Sequence, residues 1–365
     1  MAESFYGSVV HRPSRIGQAI RDLSDYYISD TETRGECPDS TSHRAARLLF
    51  FTMADMPKSY FAIRECEALT GATEQPSLRI LDVGSGYGAQ SLGMLTYLSE
   101  RKDKLSIHLD LIDRDRQAHK TLSAVLTDIR AAGIHSNLTW DTLRRDLRKP
   151  LKLHDSYDFI VIGNTLCELP SALHRPTILS LLSTLKDTGA LLAIEPALKK
   201  TTRDLHALRD GLLEAMQCRV IAPCTHSKSC PCLETKSDWC HESRRILLPP
   251  RCRKLAEATR LRRSNLKWSY LCLTRPDGLR KTNFNDTWRV VSEPMKQKGR
   301  HEVFLCGEPG RYRAVLPDKE RSAENAALRD LDRGLITQIQ HSEVVRDRLK
   351  LNRSSTVRFE DPAQD

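Results

Sequence analysis

Near the start of the chain, apolar positions repeat at helical spacing: Ile16, Ala19, Ile20, Leu23 and Tyr27 fall on one face. The stretch "STSHRAARLLFFTMADMP" opens on a Ser/Thr cap signal and stops before Pro57, and "KSYFAIRECEALTG" predicts a further helix closing at Gly71. From Leu78 the pattern changes to short apolar runs, "LRILDV", "LSIHLDLI", "NLTW", "YDFIVIG" and "GALLAIEP". Helical stretches near 88–100, 115–132, 171–186 and 199–216 separate or follow them. Such alternation predicts a parallel sheet wrapped on both faces. A run as uniformly apolar as "DFIVIG" is what a strand buried on both sides requires. Further on, "WSYLCLT" predicts one more strand, and "WRVVS", "HEVFLCG" and "YRAVLP" predict a small β extension. The charged end from Asp318 reads as mostly helical. The expected organisation is a helical region at 1–72, an α/β domain at 73–275, the β extension at 276–317 and a charged helical tail at 318–365.

Composition changes this picture in three ways. No apolar run reaches the roughly 18 residues of a membrane helix, and the start of the chain lacks the apolar segment of a secretory signal, so neither membrane nor export is expected. Eleven cysteines without such a signal argue against a disulfide framework, leaving ligands, catalysts or small core residues. A formal charge of +10 points to a polyanionic partner, with nucleic acid the first candidate.

The first chemical motif is "RILDVGSGYGAQSLGML", which sets Asp82, Gly84, Gly86 and Gly88 between a strand and a helix. Glycines there permit a tight turn and a close backbone approach to a ligand. Their spacing is not the G-x-G-x-x-G of a dinucleotide fingerprint. It resembles motif I of the S-adenosylmethionine (SAM) methyltransferases, which implies an α/β, Rossmann-like SAM-dependent methyltransferase fold. A second acid, Asp113, ends the next strand, where a carboxylate can accept from ribose hydroxyls. Asp146 in "LRRDL" stands at the usual place for a side chain near the adenine, and Asn164 follows the fourth strand at the mouth of the sheet. These seven residues form the candidate cofactor site. No acceptor-side signature accompanies them; Asn164 is a distant echo of one, and Cys167 at a strand end reads more simply as packing.

The second motif is a non-helical loop, residues 219–241, holding Cys224, Cys230, Cys232 and Cys240 in the spacing C-x5-C-x-C-x7-C. Either these are scattered core residues or they are thiolates around a metal. Cys66, Cys167, Cys218 and Cys272 lie within helix or strand patterns and read as core. Cys306 ends a strand at a glycine turn, well placed to present a further ligand. Four thiolates suit zinc or an iron–sulfur cluster equally by spacing.

With "LLAIEP" upstream and "WSYLCLTR" downstream, "APCTHSKSCPC…DWCH" resembles the methyltransferase-like family associated with the mitochondrial small ribosomal subunit and its bacterial relatives. The bacterial branch is nearest, given "DWCH" and the absence of an evident presequence, so the expected location is bacterial cytoplasm, or mitochondria if the source is eukaryotic. The resemblance implies a structural [4Fe–4S] cluster on Cys224, Cys230, Cys240 and Cys306, with Cys232 an extra thiol, and binding to small-subunit ribosomal RNA during assembly. It also leaves two roles open, an rRNA methyltransferase and a non-catalytic assembly factor; a small-molecule methyltransferase is a third. The chain is expected to act as a monomer.

A basic segment, residues 244–267, follows the cysteine loop, and Arg260, Arg262 and Arg263 are its candidate RNA contacts. The alternative for this segment is a solvated charged face.

Overall fold

The computed structural model describes residues 2–29, 35–71, 75–101, 105–153, 156–261, 265–278 and 287–360. The N-terminal region is helical as expected: α1 (Ala2–Tyr6), α2 (Pro13–Ile28), α3 (Thr41–Ala46) and α4 (Met53–Thr70). Ile16, Ala19, Ile20 and Leu23 form the buried stripe of α2. Ser40 caps α3 through a reciprocal hydrogen-bond pair with His43. A π-helical turn (Arg47–Thr52) joins α3 to α4, and Gly71 closes α4 in the left-handed conformation at φ 65°.

The central sheet contains β1 (Ser77–Val83), β2 (Ser106–Asp113), β3 (Leu138–Arg144), β4 (Tyr157–Gly163), β5 (Leu185–Pro196), β6 (Arg219–Ala222), β7 (Glu242–Arg245) and β8 (Asn265–Thr274). Its order is β3-β2-β1-β4-β5-β8-β6, with β7 also paired to β8. Strands β1 to β5 are parallel, and β8 runs antiparallel to β5. The helices between them are α5 (Ala89–Ser99), α6 (Arg116–Ala131), α7 (His174–Leu182), α8 (Lys199–Glu214) and, before β8, α9 (Pro250–Thr259). Alternate residues of β1 point into opposite cores, Ile80 toward one and Leu81 toward the other, and every position of β4 is buried. This is the expected α/β, Rossmann-like SAM-dependent methyltransferase fold. The strand order reverses between β1 and β4, which opens a crevice at their C-terminal ends. No helix among the described residues is long and apolar enough to cross a membrane.

The C-terminal part departs from expectation. Besides the three anticipated strands, β9 (Thr287–Val290), β11 (Arg300–Gly307) and β12 (Gly310–Pro317), it contains β10 (Met295–Gln297), β13 (Ile336–Gln340), β14 (Glu343–Val345), β15 (Arg348–Lys350) and β16 (Thr356–Glu360). Together they make a second sheet in the order β14-β15-β12-β11-β9-β13-β16, with β10 on β11. The segment expected as a helical tail is therefore strands and short 3₁₀ turns. Its buried residues alternate, as with Thr337 and Ile339 in β13, and a period of two pairs with β9 rather than forming a helical stripe. Val290, Val303, Leu305, Leu316, Ile339 and Val357 share its core.

The two sheets meet at a buried ion cluster. Arg289 of β9 donates to Glu65 of α4 at 2.6 Å and pairs with Glu242 of β7 at 3.0 Å, while the Tyr270 hydroxyl of β8 donates to Glu65 at 2.5 Å. All four residues are buried. Cys66 and Cys272 are core residues as expected, and their sulfurs meet across the contact between α4 and β8.

Removing the guanidinium would leave two carboxylates uncompensated in the interior. Arg289→Ala is expected to cost about 3–5 kcal/mol, measured by urea unfolding. A loss below about 1 kcal/mol would show that the cluster is hydrated rather than sealed.

Candidate cofactor cleft and thiol centre

At the end of β1 the chain turns sharply, and Gly84 and Ser85 both donate to the carbonyl of Ile112 in β2. Gly84, Gly86 and Gly88 all adopt positive φ. A side chain at Gly88 would strike Leu122 of α6 at 2.3 Å, so that glycine serves helix–strand packing. At Gly86 an added Cβ would meet nothing closer than 4.0 Å, so that backbone faces open space. The expected acid of the motif, Asp82, is buried beneath the turn and accepts from the backbone and hydroxyl of Ser91 at 3.1 and 2.5 Å. Burial pushes its pKa up to about 7.

Asp113 ends β2 beside this turn. One of its oxygens accepts from the Gly86 N–H at 2.8 Å and the other from the Asp115 N–H at 2.8 Å. Each oxygen keeps acceptor capacity toward the crevice, as a ribose diol requires. The crevice is a cleft of about 1080 Å³ whose walls include Gly86, Asp113, Asp146 and Asn164. The structure thus brings these four expected residues together from four strand ends. Asp146 is held by Arg148, whose hydrogen bonds lower its pKa to about 2 and leave it anionic.

The far wall carries residues the sequence did not single out. Asn164 sits at φ 52°, and its amide donates to Asp55 of α4 at 3.0 Å. Asp55 in turn pairs with the buried Lys58 at 3.1 Å. Glu195 of β5 lies under the turn after β4 and accepts from the backbone N–H groups of Thr165, Leu166 and Cys167. That carboxylate fixes the loop carrying Asn164, and burial pushes its pKa up to about 7. Cys167 is half-buried and lines the cleft rather than the core.

The thiols converge at the junction of the two sheets. The sulfur of Cys306 in β11 lies 3.3 Å from Nε2 of His226, and its carbonyl accepts from Thr225 at 3.2 Å, within the cysteine loop. Cys224, Cys230 and Cys240 bear electrostatically on Cys306, whose buried thiol is pushed well up. Cys230 and Cys240 are pulled down, first by the adjoining Cys232 thiol and then, against burial, by His206. Cys232, the donor between them, is pushed up. No three of these sulfurs lie within 4.8 Å of one another among the described residues.

Helix α8 cradles this loop, and sequence reading missed it. Arg203 donates to the carbonyls of Cys232, Leu233, Thr235 and Asp238, and the fully buried Arg209 donates to those of His226 and Lys228. Asp210 accepts from the Cys230 N–H at 2.8 Å, and His206 is buried against Cys230 and Cys240. The signal available was the spacing Arg203, His206, Arg209 and Asp210, one polar stripe on an otherwise ordinary amphipathic helix.

In the basic segment, Arg260 is exposed in the left-handed position that closes α9, while Arg262 and Arg263 lie outside the described residues. Arg251 is exposed and donates to the carbonyl of Val10.

The model of the family described as mitochondrial small ribosomal subunit Rsm22 matches residues 45–334. No curated protein sequence matches the chain. Among solved structures, it is similar to the magnesium protoporphyrin IX methyltransferase of Synechocystis PCC 6803 with bound SAM, at 14% identity and a TM-score of 0.36, covering 70% of this chain and 97% of that one. It is also similar to the plantazolicin methyltransferase BpumL in complex with SAH, at 13% identity and a TM-score of 0.39, covering 74% of this chain and 100% of that one.

Asp82 yields a pH prediction. Its folded pKa of about 7 lies above the ordinary value of 3.8, so the folded state retains a proton that the unfolded state releases. The resulting stabilisation is full below about pH 4 and lost as pH rises through about 7. Between pH 4 and 8, Asp82→Asn should therefore gain on the order of 3 kcal/mol relative to the parent protein, measured by urea unfolding. Parallel stability curves would contradict the buried, protonated carboxyl.

Proposed function

The chain belongs to the Rsm22 family of the mitochondrial small ribosomal subunit, and on that premise we propose that it binds SAM in the cleft, carries a structural [4Fe–4S] cluster, and acts on small-subunit ribosomal RNA during assembly. It would work where that subunit is built, in bacterial cytoplasm or in mitochondria. The observation that carries the cofactor reading is Asp113, with one oxygen anchored to the Gly86 N–H of the open glycine turn at 2.8 Å and the other to the Asp115 N–H, at the wall of the cleft. Asp113 binds the ribose hydroxyls, Gly86 admits the donor's backbone-hugging portion, and Asp146 lies toward the adenine. Bound SAM supplies an already activated methyl group, so the protein's task is alignment and exclusion of water. Asn164, held by Asp55 and the loop over Glu195, faces the acceptor side of the cleft.

The metal-centre reading rests on donor chemistry. Of the four thiols, burial raises Cys224 and Cys306 while Cys230 and Cys240 are lowered; buried Arg209 and His206 beside them would favour the thiolate forms a metal centre requires. Four thiolates suit tetrahedral zinc as well, which stands as the alternative; the family, not the spacing, favours an iron–sulfur cluster. Cys224, Cys230, Cys240 and Cys306 are the proposed ligands, with Cys232 as the spare thiol. Arg260, with Arg262 and Arg263, supplies RNA phosphate contacts.

The non-catalytic assembly factor is the second reading. It is favoured by the Asn164 amide, which is already committed to Asp55 and so is withdrawn from an incoming acceptor. Transfer of labelled methyl groups from SAM to purified small subunits separates the two: incorporation that Asp113→Ala abolishes supports the enzyme, and subunit binding without transfer supports the factor.

Two further outcomes are expected. Asp113→Ala should weaken SAM binding at least tenfold by calorimetry, and an unaltered titration would contradict the ribose role. After anaerobic purification, Cys224→Ser and Cys306→Ser should each lose iron, sulfide and much of the soluble protein. Full metal retention in both variants would remove them from the ligand set.

A further inference from the structure

A second concavity lies just outside the cleft, on the edge of the sheet. In α6, Arg116, His119, Lys120 and Ser123 follow the spacing i, i+3, i+4, i+7 and share one face. In edge strand β3, Thr142 and Arg144 alternate onto the same side. With Phe5 of α1 these residues line a recess of about 660 Å³.

Its rim is basic, while behind it Asp113 and Asp115 bear on His119. Arg116, Lys120 and Arg144 are exposed, and among the described residues none of the three meets a carboxylate within 4.0 Å. The acids closest in sequence are committed elsewhere. Asp115 caps α6 by accepting from Gln117 and Ala118, Asp113 holds Gly86 and Asp115, and Asp146 is paired with Arg148. Arg144 itself is steadied by its Nε, which donates to the carbonyl of Arg114 at 3.1 Å.

A second observation points to a ligand. His119 lines the recess, is only 6% exposed, and its buried Nε2 has no hydrogen-bond partner. A buried ring nitrogen without a partner costs free energy unless something supplies one. Three unpaired cations around it select an anion with several acceptor oxygens. The rim adds the half-buried ring of Phe5, a surface on which a base can stack.

The position decides which anion. Asp115 and Ala118 of α6 line the cleft, while Arg116 and His119 of the same turn line the recess, so one helical turn separates the two. We propose that this recess binds the phosphodiester backbone of single-stranded RNA and holds the strand whose target nucleotide enters the cleft. This rests on the RNA reading given above and assigns it a surface distinct from the basic segment, residues 244–267.

The test compares the full-length parent protein with the charge reversal Arg116→Glu/Lys120→Glu/Arg144→Glu. Binding of a single-stranded RNA fragment of small-subunit rRNA is measured across a salt series. The variant is expected to bind at least tenfold more weakly at ~0.15 M salt, with a salt slope lower by about 2, from three lost phosphate contacts at roughly 0.7 each. Its SAM titration should match that of the parent, which verifies folding without involving the recess. His119→Ala, which leaves the charge pattern intact, should weaken binding less and leave the slope unchanged. If the parent binds RNA and the triple variant binds with equal affinity and slope, the recess is not the docking surface, and the RNA reading survives. If the parent itself binds no RNA, both fall.

Discussion

Burial of the Cys306 thiol beside a loop that lies some way upstream in sequence is the constraint on which the rest of the structure depends. A strand in the second sheet must reach residues 224–240 of the first, and its sulfur must share an interior with Cys224, Cys230 and Cys240. Thiols gathered in one interior lose hydration, and any that ionise need compensating charge. Helix α8 provides it through Arg209 and His206, both buried against the thiols. Arg203 and Asp210 do the complementary work on the backbone, fixing a loop with little secondary structure of its own.

The same junction is sealed by ordinary protein chemistry. Arg289 bridges Glu65 and Glu242, Arg311 of β12 pairs with Asp238 in the cysteine loop, and Arg333 donates to the carbonyl of His241. The second sheet is thus tied to α4, to β7 and to the loop at once. Helix α4 also carries Asp55 and Lys58 into the cleft, so the element that anchors the C-terminal sheet also shapes the acceptor wall.

Much of the fold was legible in the sequence because the central strands are buried on both faces and therefore apolar throughout, as β4 shows. The glycine motif was legible because its backbone geometry admits little else, and Asp113 because it ends the adjacent strand in register. Cys306 was found through its turn and the family resemblance. The strands after Asp318 were misread because they are short and charged on their outer faces, so their alternation is hidden until partner strands are known. Asp55, Lys58, His206 and Glu195 escaped because each is a polar residue in an element whose apolar pattern alone explains its presence. Only the tertiary structure shows that these side chains meet a cleft or a thiol.

Hydrogen exchange of the purified protein before and after chelation of the proposed metal centre tests the central claim most directly. Loss of metal is expected to unprotect the loop at 224–240 and the β11 amides around Cys306 together, while the amides of β1 and β4 stay protected. Unchanged protection in β11, or loss confined to the loop, would show that no shared centre joins the two sheets.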